Sequence, residues 1–244
     1  MRPVSRGSSP VPGPYDPYEK AKSHLIGRLG SYCSYCERRV EANLAVEHVQ
    51  PKNLPSYAHL ENEWTNFLLG CVNCNSTKSK KDVVFADILM PDRDNTFNAY
   101  EYSVDGKVAV KAGLRSPNRD KAEALLALVG LDRTITTVFD ENGKQIVIDR
   151  ASKRMEIFAT AKRAATRITA NPGNNDLVDM AIDLAVESGG FSIWMQVFSH
   201  NVEMKRRLID AFPGTRASGC FDPLTQAVIS PHPNLDLLMP GGHI

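Results

Sequence analysis

The sequence predicts an α+β protein, in which a small metal-braced module of strand, loop, strand and helix is followed by a mainly α-helical region. Three observations predict it. Four of the five cysteines form two Cys-x-x-Cys pairs, Cys33/Cys36 and Cys71/Cys74. Short apolar runs at Leu44 to Val49 and at Phe67 to Leu69 lie between those pairs, each of strand length and bounded by turn residues. Beyond residue 113, apolar residues recur mostly at helical spacing.

Each element has a local reason. Met1 to Pro14 carries four prolines among Ser and Gly and few apolar residues, so residues 1–15 are expected as a disordered tail. Asp16-Pro17-Tyr18-Glu19 has the form of a capping box with proline at the first helical position, and Gly30 is a stop, which brackets a helix. Pro51 ends the first strand, so Glu47 and His48 fall where a strand enters a loop. A lysine-rich helix from Ser76 to Asp82 is expected to start at Asn75. Tyr100 to Val110 alternates around Asp105-Gly106 as a hairpin, which closes a module over 16–112. In the helical region, 113–212, Ser116-Pro117 starts a helix that Gly130 ends. A Val138 to Ile148 segment turns at Asn142-Gly143, and helices follow over about 150–170, 174–188 and 190–211. Residues 213–244 hold five prolines and four glycines and are expected as an extended C-terminal arm.

Composition narrows function only by exclusion. With 29 basic and 28 acidic residues the net charge is +1, so no global field draws nucleic acid, and any such contact must be local. No stretch approaches the ~20 apolar residues of a membrane span. Met1 to Tyr18 contains no apolar run of the signal-peptide kind, so a reducing, cytoplasmic setting is expected and the thiols are read as ligands rather than disulfides. Two such pairs close a tetrahedral zinc site that leaves no open position for water, so Cys33, Cys36, Cys71 and Cys74 are read as ligands of a structural Zn2+.

Chemistry must then come from other residues. Phosphodiester hydrolysis needs a base for water and a metal ion for charge on the phosphoryl and leaving oxygens. His48 suits the base. Glu47 and Asn75 offer hard oxygens suited to Mg2+ or Mn2+, so two different metals are implied. Adjacent strand residues point to opposite sides, and Glu47 and His48 can share one site only if the backbone bends.

CSYCE, then VEHVQPK, then W-x-N-x-L-L-x-C-x-x-C-N-x-x-K resemble the HNH endonuclease motif, the ββα-metal fold, in its zinc-braced four-cysteine form. The resemblance implies that His48 is the general base, that Asn66 is the central Asn that braces the loop, and that Asn75 and Glu47 hold the catalytic ion. Many members carry Asp where Glu47 stands. The Glu-His branch is similar to the nuclease partner of Septu-type and retron-linked anti-phage systems. That implies an effector nuclease working beside an ATPase encoded with it. The similarity is specific from Cys33 to Lys78 and fades by Arg133.

Plainer roles stand beside these. Lys78, Lys80 and Lys81 would grip substrate phosphates or form a solvated helix face. Arg150, Lys153, Arg154, Lys162, Arg163 and Arg167 read first as a solvated face. Trp64 reads as a core anchor, and His59 and Cys220 as incidental. The function expected is a metal-dependent endonuclease acting on DNA, with room for an oligomer. One alternative is a zinc-finger-like nucleic-acid or protein-binding module without catalysis, against which Glu47, His48 and Asn75 are all present. The other is a modification-dependent restriction endonuclease, whose base-reading pocket has no trace in 113–212.

Overall fold

The computed structural model describes residues 1–133, 135–139 and 145–244. A 3-10 turn at Tyr18–Lys20 leads into α1 (Ala21–Leu29), and neither is capped by a side chain, so the expected Asp16 capping box does not form. The main-chain carbonyl of Asp16 instead accepts from Lys20 Nζ at 2.5 Å. Gly30 does end α1, at φ 73°, where an added Cβ would meet the Tyr32 ring at 2.7 Å.

Strands β1 (Ala45–His48) and β2 (Phe67–Gly70) pair antiparallel, with Ala45 opposite Gly70 and His48 opposite Phe67. Helix α2 (Val72–Lys78) follows with Cys71 at its N-cap. It therefore starts within the second Cys-x-x-Cys pair and not at Asn75, because the two residues between the cysteines form its first turn. A short helix, α3 (Thr96–Ala99), precedes the predicted hairpin, β3 (Tyr100–Tyr102) with β4 (Val108–Val110). Helix α4 (Asn118–Val129) ends at Gly130 in the left-handed region.

Strands β5 (Ile135–Phe139) and β6 (Gln145–Asp149) pair antiparallel. The turn expected at Asn142-Gly143 lies outside the described residues. Helices α5 (Arg150–Ala170) and α6 (Asn175–Ser188) match the periodicity. The single helix expected over 190–211 is two, α7 (Phe191–Val197) and α8 (Val202–Ala211), because Asn201 accepts from Met204 N at 2.9 Å and starts a new helix. The predicted α+β class stands, with three two-stranded antiparallel sheets among the described residues and the helices concentrated in the second half. Among the described residues no helix is long and apolar enough to cross a membrane.

The N-terminus departs from the expected disordered tail. Residues 1–6 are buried, because two arginines find main-chain acceptors deep in the fold. Arg2 donates to the carbonyls of Pro213 (2.6 Å) and Leu29 (2.8 Å) and to Thr215 Oγ1 (3.0 Å). Arg6 donates to the carbonyls of Phe67 and Thr65 and pairs with Asp92 at 2.8 Å. Burial works against the Asp92 carboxylate, but Arg93 and Arg6 outweigh it and hold its pKa at about 2. The C-terminal arm docks on its own chain. Ile244 O accepts from Asn95 N at 2.9 Å and His232 N at 2.8 Å, and His243 N donates to Asp94 at 2.9 Å. Leu238 is buried, whereas Leu235, Leu237 and Met239 stay exposed.

Replacing one member of a buried ion pair leaves the other charge under-compensated. Arg6→Ala is expected to destabilise the protein by about 3 kcal/mol, read as a lower urea midpoint at pH 7. An unchanged midpoint would show that residues 1–6 do not belong to the folded unit.

Candidate active site beside a four-cysteine metal centre

The two Cys-x-x-Cys pairs meet where Ser34 is tied to β2. Ser34 N donates to Leu69 O at 2.8 Å, and Leu69 N donates back to Ser34 Oγ at 3.3 Å. Gly70 then turns the chain into Cys71. The result is that all four sulfurs lie within 4.8 Å of one another, with Cys36 Sγ and Cys71 Sγ at 3.8 Å. Sulfurs each ~2.3 Å from a tetrahedral zinc stand about 3.8 Å apart, so the cluster fits that ion. Burial pushes the Cys33 thiol up, while the neighbouring sulfurs push Cys74 up and draw Cys71 down. Among the described residues it is the one cluster of three or more His, Cys, Asp or Glu able to hold a metal.

His48 ends β1 at the opposite end of the hairpin. Its ring is clasped edge-on by Tyr18 (centroids 4.6 Å) and by its cross-strand neighbour Phe67 (5.3 Å). Nε2 lies 2.8 Å from Glu61 O. A carbonyl can only accept, so in the neutral ring Nε2 carries the proton and Nδ1 the lone pair. Nδ1 makes no hydrogen bond among the described residues and is not walled in. Burial lowers the His48 pKa below its ordinary 6.5, the Glu61 carbonyl opposes this, and nearby Lys52 adds to the lowering. The imidazole is therefore neutral at pH 7, with one nitrogen oriented and the other open.

Asn66 holds the loop that carries Glu61. Its Oδ1 accepts from Gln50 N at 2.8 Å, its Nδ2 donates to the carbonyls of Gln50 (2.9 Å) and Leu60 (3.3 Å), and its own carbonyl accepts from Val49 N at 2.8 Å. One buried amide thus clamps the chain on both sides of the loop.

Glu47 points the other way from His48, as strand alternation requires, and no bend turns it back. It is 1 % exposed, with Lys78 Nζ 2.9 Å from its Oε1 and the Tyr35 hydroxyl donating at 3.5 Å. Burial raises the Glu47 pKa against the pull of Lys78. The expectation for Lys78 is corrected here. It is 2 % exposed and donates to His48 O at 2.7 Å as well as pairing with Glu47, so it is not placed to grip a substrate phosphate. Lys80 and Lys81 are exposed, and Lys81 Nζ reaches Leu128 O at 3.3 Å. Asn75 lies one turn before Lys78 on the same face of α2. Its half-buried amide makes no hydrogen bond among the described residues.

Residues 33–81 match the HNH endonuclease family model. The match places an HNH domain at residues 33–81. No curated protein matches the chain. Within that domain the elements run β1, loop, β2, α2, with the cysteine pairs at the hairpin's open end, past the Ala45–Gly70 pair, and His48 at the end that the loop closes.

Sequence reasoning missed Tyr18, Phe67, Tyr35 and the Glu61 carbonyl. Of these only Phe67 left a trace, as the residue that a hairpin register places opposite His48. Arg150 and Arg154 are a second correction. Read as part of a solvated face, they are buried, Arg150 donating to Val129 O at 3.0 Å and Arg154 to Gly106 O. Trp64 is the core anchor expected, stacked on Tyr15 and donating to Gly7 O at 2.8 Å.

Cys74→Ser is expected to lose the zinc and unfold the module, since structural zinc contributes on the order of 10 kcal/mol to such sites. Elemental analysis with far-UV circular dichroism checks this. A folded Cys74→Ser protein, or wild type purified without chelator yet free of zinc, would refute it.

Proposed function

We propose that the protein is a metal-dependent endonuclease that hydrolyses DNA, with His48 as general base. The observation that carries this reading is the His48 ring itself, which is neutral, fixed by the Glu61 carbonyl through Nε2, and open at Nδ1. A water held at Nδ1 would pass its proton to that nitrogen as its oxygen attacks phosphorus, and the bond from phosphorus to the 3′ oxygen would break with its electron pair leaving on that oxygen. The edges of Tyr18 and Phe67 keep the ring from turning, and Asn66 keeps the loop from carrying Glu61 away.

A carboxylate and an amide oxygen are the donor types that hard divalent ions take. Glu47, on β1, and Asn75, on the α2 face that Lys78 also uses, would hold Mg2+ or Mn2+. A bound ion there would supply positive charge for the phosphoryl and leaving oxygens. Lys78 occupies Glu47, which faces away from His48, so serving one phosphate with both requires the ammonium to move off the carboxylate and the carboxylate to turn to the His48 face. Lys80, exposed at the end of α2, is suited to a backbone phosphate.

His48→Ala is expected to abolish plasmid cleavage while zinc content is retained. A lowered His48 pKa sets the pH dependence. Its proton binds more tightly in the unfolded chain, so the base is in its active form above pH 6.5, and kcat/KM falls only as pH drops below that value. Incubating wild type and His48→Ala with plasmid and single-stranded DNA in Mg2+, Mn2+ or EDTA checks the reading. Cleavage by His48→Ala at the wild-type rate, or cleavage that persists in EDTA, would sink it. Binding without cleavage by wild type in every metal would favour a catalytically dead zinc module.

The resemblance to nucleases of anti-phage systems extends the proposal to an effector restrained or delivered by an ATPase. Its surface would include Leu235, Leu237 and Met239, which are 62, 82 and 76 % exposed beside buried Leu238. Truncation at Pro213 is a poor probe, because Arg2 is anchored on residues 213–215. Leu237→Ser with Met239→Ser is expected to abolish co-purification with the ATPase encoded alongside and to leave melting unchanged. Retention of the ATPase by that double variant would remove this surface from the interface.

A further inference from the structure

Behind the cysteine cluster, where α5 crosses it, lies a cavity of about 50 Å³. Arg150 and Arg154 line it from α5, Arg38 from the loop between the first cysteine pair and β1, and Lys153 stands at its exposed edge. The one carboxylate in the lining, Glu37, is already engaged by Ser192 N (2.8 Å), Ser192 Oγ (2.6 Å) and the Tyr102 hydroxyl (3.3 Å). Arg150 and Arg154 are 7 and 6 % exposed, yet Arg150 Nε and Arg154 Nη2 have no hydrogen-bond partner among the described residues. The sulfurs do not fill that gap, since Arg150 approaches Cys74 Sγ only through Nη1, at 3.9 Å.

Buried guanidinium donors without an acceptor are costly, and a forked cation is matched by a tetrahedral oxyanion that accepts from several N–H groups at once. We propose that this cavity binds one phosphate group, held by Arg150 and Arg154 with Arg38 and Lys153 closing over it. It is distinct from the hydrolytic site. Cys71 follows Gly70, which pairs with Ala45, three positions from His48 and so about 10 Å along the strand. The phosphate comes either from a nucleic-acid backbone lying across the zinc end of the hairpin or from free phosphate or a nucleotide.

The test is calorimetric titration of the zinc-loaded full chain with sodium phosphate against sodium chloride of equal ionic strength. Saturable phosphate binding with one site per chain is expected, weakened about tenfold by Arg154→Lys, which loses the fork, and severalfold by Lys153→Ala at the exposed edge. Zinc content and circular dichroism confirm that the variants fold. Should Arg154→Lys fail to fold, Lys153→Ala and Arg38→Ala carry the comparison. No phosphate-specific heat in wild type, or equal affinity in wild type and every folded variant, overturns the proposal. A short oligonucleotide that displaces phosphate identifies the backbone as the source, and one that does not identifies a free phosphate or nucleotide. His48→Ala keeps phosphate binding, so failure of the nuclease reading would leave this result standing, and the reverse also holds.

Discussion

Four sulfur atoms gathered within 4.8 Å fix the geometry of everything around them. A hairpin of two four-residue strands buries too little to hold its own register, and isolated two-stranded ribbons are marginal in water. Here the register is pinned at one end beside the four-cysteine cluster, because Gly70 runs directly into Cys71 and Ser34 bonds Leu69 on both sides. A slip of one residue would carry His48 to the buried face and Glu47 to the open one. The cysteine end therefore determines which side chain meets solvent at the other end of the hairpin.

The second half of the chain braces that arrangement and also charges it. Helix α5 passes behind the sulfurs and inserts two arginines beside them, with donors left over that a solvated helix face would not leave. The two halves are consequently coupled through these buried arginines as well as by packing.

Much of this was legible in the residues. Cysteine spacing predicted the metal centre, Pro51 placed His48 at a strand end, and Gly30 and Gly130 marked helix ends. The chain ends were not legible, because composition counts apolar residues and does not see that Arg2 and Arg6 have main-chain acceptors waiting at Leu29, Pro213, Thr65 and Phe67. Lys78 was misread for a related reason. A lysine three residues after a predicted ligand looks like a phosphate contact, and only the turn of α2 shows that its ammonium reaches back to a buried carboxylate. The break between α7 and α8 escaped notice because Asn201 interrupts a continuous amphipathic pattern without disturbing its period.

The hydrogen bond from His48 to Glu61 is made to the main chain. Side-chain replacement at position 61 leaves that acceptor in place, so the tautomer of His48 is insensitive to point mutation there. It is sensitive to length. Inserting or deleting a residue between Pro51 and Leu60 would carry the carbonyl past the ring, and Asn66, which grips both ends of that stretch, would resist the change. Drift in this part of the protein should therefore alter the composition of the loop and preserve its residue count.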